Sequence, residues 1–248
     1  GLLRDLRRRH HWSLQLWHGN HGWHPEAKRI ASELAGWCRT QQLPLLISTS
    51  TNATTGSEAR ARQWRYDELH QVCQQINQND GGKLCCSVVT GHTASDRAET
   101  LLLQLSRGTD LAGLASLRWE RSLKGDATDG IRLVRPLLNF SRDETAAICS
   151  DLQLPIWTDP SNSDSRFARN RIRQEVLPVL ETMYPGCSRR MAELSERVSQ
   201  VQDTQSSLLA MSLEQLKGQN GALKRPPLQQ LPSSARQLIL HGWLQTQG

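Results

Sequence analysis

The segment from Thr90 to Leu114 reads TGHTASDRAETLLLQLSRGTDLAGL and combines a turn, a helix and several reactive side chains. Val88 and Val89 precede it, and an apolar pair that runs into Gly91 is typical of a buried strand ending at a glycine turn. The residues after the turn have the spacing of a helix that buries one face. The apolar residues expected on that face are Ala98, Leu102 and Leu105, with Leu101 beside them.

Three side chains with acid–base or metal-binding chemistry meet where this helix begins. Asp96 and Glu99 are three residues apart, so their carboxylates project from the same side of the first turns. His92 precedes them on the turn. In open α/β sheets, ligands bind in the crevice beyond the carboxyl ends of the strands, which makes this a candidate site. An alternative stays open, because acids in the first turn also stabilise a helix through its dipole.

The whole segment resembles a family pattern. The tRNA(Ile)-lysidine synthetases, which belong to the PP-loop (N-type) ATP pyrophosphatases, carry G-H-x-x-x-D-x-x-E-T followed by R-G and G-L. The matching residues are Gly91-His92, Asp96, Glu99-Thr100, Arg107-Gly108 and Gly113-Leu114. The resemblance implies an α/β fold of the adenine nucleotide alpha hydrolase type. Its expected form is a doubly wound, mostly parallel sheet followed by a smaller helical domain.

The resemblance also implies a reaction on tRNA(Ile) with a CAU anticodon. ATP adenylates the C2 carbonyl oxygen of the wobble cytidine and releases pyrophosphate; the amine of L-lysine then attacks C2, and AMP leaves. On this basis the expected catalytic residues are His92, Asp96 and Glu99. Asp96 and Glu99 would hold either Mg²⁺ or the ammonium of lysine, and the residues themselves leave both interpretations open. His92 would be a hydrogen-bond donor or a proton partner at the same place.

Two further blocks resemble the nucleotide site of this family. His21-Gly22 matches its H-x-x-H-G segment, and residues 58–66 match E-A-x-A-R-x-x-R-Y. The residues that the resemblance assigns to ATP and its phosphates are His21, Gly22, Arg62, Arg65 and Gly91. Arginine suits this role because its planar guanidinium donates two parallel hydrogen bonds. Without the resemblance, two arginines on one helical face are more typical of a solvated surface.

A basic segment follows in the second half of the chain. Residues 159–178 resemble the family's D-x-S-N…R-N-x-I-R…P block. The expected tRNA-binding residues are its four arginines, Arg166, Arg169, Arg171 and Arg173. Such a cluster contacts phosphates without reading bases. Residues 159–162 also fit a purely structural turn, because Asp and Asn side chains bond to nearby backbone.

Predicted strands and helices alternate through the first part of the chain, which favours a parallel, doubly wound sheet. The predicted strands are residues 12–16, 45–47, 83–90 and 131–138, and a loop is predicted over 18–24. Helices are predicted over 2–9, from Pro25, over 58–77, from 188 to 217 and from 233 to 244. We expect a catalytic domain over residues 1–184, N-terminally incomplete, and the start of a helical tRNA-binding domain over 185–248.

Composition favours a polyanionic partner. The net charge is +6 and the isoelectric point is about 9.3, although charge alone also fits an ordinary basic protein. The six cysteines form no C-x-x-C pair, so neither a zinc ribbon nor a disulfide framework is indicated, and a reducing cytoplasm fits. Apolar runs of membrane-spanning length are absent from the sequence, so no membrane association is expected.

Two departures from the family pattern bear on activity. The S-G-G-x-D-S loop, whose backbone donors hold the ATP phosphates, does not occur in these 248 residues. We therefore expect the chain by itself to bind ATP weakly and not to turn it over. Thr93 and Ser95 stand where the family often has His and Asp, which removes one negative charge from the site.

Two alternative functions remain open from the sequence. A tRNA-thiolating PP-loop enzyme would share the sheet and the ATP chemistry, but such enzymes usually need cysteines in a C-x-x-C arrangement. A non-catalytic tRNA-binding relative would explain the absent phosphate loop. The sequence does not indicate the oligomeric state or the identity elements of the tRNA.

Overall fold

A computed structural model of the chain describes residues 1–22, 25–50, 58–79, 87–124, 130–158, 164–218 and 221–246. The strands are β1 (Leu16–Asn20), β2 (Leu45–Thr49), β3 (Ser87–Val89), β4 (Glu120–Ser122) and β5 (Arg132–Val134). The helices of the first part are α1 (Leu2–His10), α2 (Ala27–Thr40), α3 (Glu58–Asn79), α4 (Ala94–Arg107), α5 (Leu111–Leu114) and α6 (Arg142–Asp151). Those that follow are α7 (Ala168–Arg171), α8 (Leu177–Met183), α9 (Cys187–Leu216), α10 (Arg225–Gln229) and α11 (Ser233–Gln245).

The described strands form two sheets, β1-β2 and β3-β5-β4, and their pairing is mainly parallel, as predicted. β1 pairs in parallel with β2, Leu16 facing Leu45, and β3 pairs in parallel with β5, Ser87 facing Arg132. β4, which the sequence pattern did not predict, is antiparallel to β5 and lies at an edge. Helices alternate with the strands, and a helical region follows them. The α/β class is therefore confirmed.

The first strand begins later than predicted. Its ladder starts with the hydrogen bond from Leu16 N to Pro44 O, because β2 offers its first backbone partner there. Residues 12–15 precede this ladder, and His18 belongs to the strand rather than to the predicted loop. The remainder of that loop prediction includes Trp23 and His24, which lie outside the described residues, as do residues 159–163 of the D-x-S-N block.

The main core forms where α3 covers β3 and β5. Its buried members are Cys73, Val88, Leu123, Ile131 and Leu133, with Tyr66 and Leu69 packed against them. Apolar residues at helical spacing on α3 therefore face the sheet, as the 3.6-residue period predicts. Burial of these side chains is the main contribution to the stability of this half.

The buried face of α4 differs from the predicted one. Ala98 and Leu101 are buried, whereas Leu105 is exposed. The reason is that α9 packs along α4, so a different set of α4 side chains is buried. The buried Arg97 of α4 donates to Leu117 O and pairs with Glu196 of α9 at 2.9 Å.

The long helix α9 belongs to two packing regions. Near its start, the Ser195 hydroxyl donates to Leu114 O at 2.7 Å. Near its end, a small core forms with α11 from Leu213, Leu216 and Ile239. The predicted boundary after residue 184 stays a prediction. None of the helices in the described ranges combines the length and hydropathy that crossing a membrane requires.

Candidate active site

An open cleft of about 560 Å³ lies where β3 ends and α4 begins. α6 forms its opposite wall, and Arg173 reaches in from the segment after α7, a π-helical turn over Ile172–Val176. The lining residues are Gly91, His92, Thr93, Asp96, Arg142, Thr145 and Arg173. The cleft thus occupies the carboxyl end of a parallel strand, as the sequence predicted.

Asp96 is fixed by the cap of α4. Its Oδ2 accepts hydrogen bonds from Thr93 N and from Thr93 Oγ1, both at 2.8 Å. Burial raises the pKa of the Asp96 carboxyl, but the Thr93 hydrogen bonds and nearby arginine charges outweigh burial and hold that pKa below its usual value. Asp96 Oδ1 has only longer contacts, the nearest to Arg142 Nη2 at 3.3 Å. This oxygen is the part of the carboxylate that can meet a ligand.

Glu99 is fully buried, with 0% of its side chain exposed. Its Oε1 accepts from Arg173 Nε at 2.7 Å. Its Oε2 accepts from Arg169 Nε at 3.0 Å and from Arg173 Nη2 at 2.9 Å. We call Asp96, Glu99, Arg142, Arg169 and Arg173 the acid–arginine cluster. Three guanidinium groups face two carboxylates there, so the charges of the acids are already balanced within the protein.

This geometry corrects the expected surroundings of the two acids. They do lie on one side of the helix, but Glu99 does not point out of the sheet edge toward solvent. Arginine side chains occupy the place beside the acids where Mg²⁺ or a lysine ammonium was expected. They are Arg142 of α6, Arg169 of α7 and Arg173 of the turn after α7. A Mg²⁺ ion does not fit this pair, because the Glu99 oxygens are both held by arginine. Within the described ranges, no three His, Cys, Asp or Glu residues are grouped to hold a metal.

His92 is neutral at physiological pH. Burial and the positive charges of nearby arginines lower the pKa of its imidazole from 6.5 to about 4, although Asp96 opposes them. Its Nδ1 lies 2.9 Å from Thr90 Oγ1, which fixes the ring. A neutral imidazole can accept or donate a proton at the mouth of the cleft.

The residues expected at the nucleotide site lie directly after β1, on α3 and after β3. Gly22 has φ +67° and donates its N–H to Asn20 Oδ1 at 2.9 Å, which turns the chain sharply after β1. The His21 ring packs edge-on against Trp64 at 4.7 Å. Arg62 lies close enough to His92 to lower its pKa, whereas Arg65 is exposed. The structure therefore brings Arg62 near His92, and the role of Arg65 stays a prediction.

The four arginines expected to bind tRNA divide into two groups. Arg166 and Arg171 are exposed, at 85% and 61%, and pair with Asp164 and Glu175. Arg169 and Arg173 point inward to Glu99. The expectation of one shared basic surface is therefore corrected, because the helical turn directs alternate members to opposite sides. Their contacts with tRNA stay a prediction.

A second group of arginines surrounds Tyr66. The guanidinium carbons of Arg62 and Arg121 lie 4.8 and 5.0 Å from the centre of its ring. Burial raises the pKa of the Tyr66 phenol, yet the charges of Arg62, Arg121 and Arg135 outweigh it, and the pKa lies below its usual value. We call these four residues the tyrosine–arginine cluster.

Sequence reasoning missed several of these residues. The segment Ser141-Arg142-Asp143-Glu144 has the sequence of a capping box, and Glu144 Oε2 accepts from Ser141 N at 2.6 Å at the start of α6. The sequence places Arg142 only at the start of this helix. In the structure its guanidinium contacts both Asp96 and Glu99. Arg135 is, from sequence, only the first residue of R-P-L-L. Ser95, the departure from the family pattern, accepts from Arg142 N at 3.1 Å and so helps to position that arginine.

The comparisons with known proteins agree with this architecture. Residues 1–180 match the family model described as the PP-loop domain. The U34-tRNA thiolase NcsA from Methanococcus maripaludis, solved with its 4Fe-4S cluster, superposes with a TM-score of 0.59 over 80% of this chain and 67% of its own. That likeness shows the fold alone, since the two sequences are 14% identical. The fold and the cleft together place this chain in the class of PP-loop domains.

Relatives with curated names identify the family within this class. A protein named tRNA(Ile)-lysidine synthase from Parasynechococcus marenigrum (strain WH8102) is 53% identical over 247 residues, covering 100% of this chain and 71% of the relative. Another of that name, from Prochlorococcus marinus (strain NATL1A), is 38% identical over 248 residues, covering 100% of this chain and 75% of the relative. The chain belongs to the tRNA(Ile)-lysidine synthase family of PP-loop proteins.

Proposed function

We propose that this protein is a ligase that joins lysine to C2 of the wobble cytidine of tRNA(Ile) and consumes ATP. The observation that carries the proposal is the 53% identity to a tRNA(Ile)-lysidine synthase across the full length of this chain. ATP first adenylates the C2 carbonyl oxygen and releases pyrophosphate. The lysine amine then forms the bond to C2, the C2–O bond breaks, and AMP leaves. A thiolating enzyme is not favoured, because its support is a fold likeness at 14% identity.

The two acids would have different roles. Asp96 Oδ1 faces the cleft and has its nearest contact at 3.3 Å, so it is the carboxylate oxygen that can accept a hydrogen bond from a lysine ammonium group. Glu99 is buried and would act through Arg169 and Arg173, which it holds in place. This assignment would make Asp96 a binding residue and Glu99 a positioning residue.

His92 would move the proton of the attacking amine. Lysine binds as an ammonium ion, and it must lose a proton to attack C2. The low pKa of His92, about 4, keeps its imidazole neutral, so the ring can accept a hydrogen bond from the amine and pass the proton on to water, but it is too weak a base to retain that proton. Its place on the wall of the cleft, four residues before Asp96, supports the role.

Phosphate groups would be held on the side of the cleft where Arg62 lies. Positive charge there stabilises the developing charge as pyrophosphate leaves. Mg²⁺ would accompany the ATP phosphates rather than the pair of Asp96 and Glu99, because both oxygens of Glu99 are held by arginine. The tRNA would contact the exposed basic side chains, consistent with a net charge of +6. A reducing cytoplasm is the compartment we propose.

The test is AMP formation from ATP that depends on both lysine and tRNA(Ile). The assay uses a version of the chain in which an S-G-G-x-D-S loop precedes Gly1, with the unextended chain beside it. We expect AMP only when both substrates are present. A folded, extended protein that binds tRNA(Ile) without forming AMP would favour the non-catalytic alternative, and transfer of sulfur to tRNA would favour the thiolating one.

A further inference from the structure

The tyrosine–arginine cluster has more positive charge than the described residues balance. Arg135 is buried, with 1% of its surface exposed. Its neighbours Arg62 and Arg121 add two further charges of the same sign, which lower the pKa of its guanidinium together with burial. Among the described residues, none of the three arginines forms an ion pair with a carboxylate, whereas the neighbouring Arg132 pairs with Glu120 at 2.6 Å. Buried charge without a counter-ion is costly, so this arrangement favours an anion.

Some hydrogen-bond donors of the cluster also have no acceptor among the described residues. Arg135 Nη1 donates to Arg118 O at 2.6 Å, but its buried Nε has no hydrogen-bond partner in the described part of the chain. Arg121 uses Nη1 for Ser122 O and Leu123 O, and Arg121 and Arg135 each also hydrogen-bond to Tyr66. Each guanidinium has five N–H donors, so several remain for a ligand. A buried donor without a partner is destabilising, and an oxygen-rich anion supplies the missing acceptor.

The charges of the cluster reach the cleft through His92. Arg62 and Arg135 both lower the pKa of this histidine, which lines the cleft, so an anion among the arginines would act on it as well. We propose that the three guanidinium groups around Tyr66 form a binding site for a phosphate-type anion. The choice of phosphate rests on the proposed function, because the ligation releases pyrophosphate at this end of the cleft. Arg121, Arg135 and Tyr66 thereby extend the phosphate role that the resemblance assigned to Arg62 among others.

The first test is calorimetric titration of the 248-residue chain with sodium pyrophosphate, without ATP, lysine or tRNA. We expect one binding site, and Arg121→Lys should weaken binding about tenfold, because lysine keeps the charge but loses the planar fork. Arg132→Lys is the matched control, an arginine on the neighbouring strand β5 with its own carboxylate partner, and should bind normally. Equal affinity in Arg121→Lys and Arg132→Lys, or no binding by the unmodified chain, overturns the proposal.

The second test needs no arginine variant and so does not depend on how well one folds. The chain has two tyrosines, Tyr66 and Tyr184, and phenolate absorbs in the ultraviolet. A bound anion should raise the pKa of Tyr66, because negative charge disfavours the phenolate. The shift should survive Tyr184→Phe and vanish in Tyr66→Phe. An unchanged Tyr66 titration at saturating pyrophosphate contradicts the site.

Two comparisons separate the possible outcomes. Inorganic phosphate is titrated beside pyrophosphate: tighter binding of pyrophosphate identifies the reaction product as the ligand, and equal binding identifies a site for a single phosphate group. Ligation is assayed separately with lysine and tRNA(Ile). Pyrophosphate binding without ligation would reject the proposed function and leave the anion site standing, whereas ligation without pyrophosphate binding at Tyr66 would do the reverse.

Discussion

The acid–arginine cluster and the tyrosine–arginine cluster both act on His92, and they differ in how their charge is balanced. In the first, two carboxylates accept from three guanidinium groups at 2.7 to 3.5 Å. In the second, three guanidinium groups share one phenol. A balanced cluster holds its own geometry without a ligand, whereas an unbalanced one is suited to binding an anion. Under the proposed function, the first cluster would hold the structure and recognise lysine, and the second would bind phosphate.

The largest expected effect is loss of stability in Glu99→Gln. The substitution removes the negative charge of a fully buried carboxylate and leaves the half-buried Arg169 and Arg173 without it, and breaking a buried pair costs about 3–5 kcal/mol. Urea unfolding of Glu99→Gln measures the free energy. Glu175→Gln is the control, since this acid also pairs with an arginine but is exposed, and its stability should change little. Equal stabilities of the two variants would mean that the balanced cluster does not hold the fold together.

The sequence suggests the opposite outcome, namely that Glu99→Gln would change the stability little. From sequence, Glu99 is an acid in the first turns of a helix, and such acids are normally exposed. The structure buries it under α6, α7 and the turn after α7, whose arginines come from 43 to 74 positions along the chain. Periodicity describes one helix and carries no information about which distant side chains cover it. The helix start and its cap could be predicted; the partners could not.

The boundaries of the strands also depend on contacts that the sequence pattern does not reveal. Predicted strand positions were sound where apolar runs were bounded by turns, as for β2. β1 began four residues late because its ladder depends on where β2 starts. The short β4 pairs with β5 alone, and its sequence, Glu-Arg-Ser, has no apolar alternation to reveal it. Pairing decides these boundaries, and pairing is a tertiary property.

The second expected effect is a pH dependence due to His92. The folded pKa of about 4 lies below the unfolded value of 6.5, so the unfolded state binds more protons between these values. Stability from this group is therefore complete above pH 6.5 and is lost as pH falls toward 4, by up to about 3 kcal/mol at 1.4 kcal/mol per pKa unit. Unfolding of His92→Gln across this range should lack the decline. The exposed His241→Gln is the control and should retain it; a decline that survives in His92→Gln would place its origin elsewhere.

Third, Asp96→Asn should lose activity more than stability. Asn keeps an oxygen for the Thr93 cap but removes the charge facing the cleft. In the loop-extended chain, ligation should fall at least about tenfold, or about 1.4 kcal/mol of transition-state stabilisation. The matched control is Glu144→Gln, which alters the same capping position on α6 outside the cleft. Full ligation by Asp96→Asn would transfer lysine recognition to another residue.

The smallest expected effect concerns tRNA binding. Arg166→Gln and Arg171→Gln remove exposed charge, so each should lower the slope of log affinity against log salt by about 0.7 to 0.9. Filter binding at several salt concentrations measures it. Arg29→Gln, an exposed arginine of α2 held between Glu26 and Glu33, provides the comparison and should leave the slope unaltered. Unchanged slopes in Arg166→Gln and Arg171→Gln would remove this segment from the tRNA surface.

Mass analysis of nucleosides from tRNA(Ile) tests the central claim most directly. The tRNA is incubated with ATP, lysine and the loop-extended chain and then digested, with Asp96→Asn run in parallel. The account predicts lysidine in place of the wobble cytidine for the extended chain, and about tenfold less after the same time for Asp96→Asn. An unmodified wobble cytidine after incubation with the folded, loop-extended chain would contradict it.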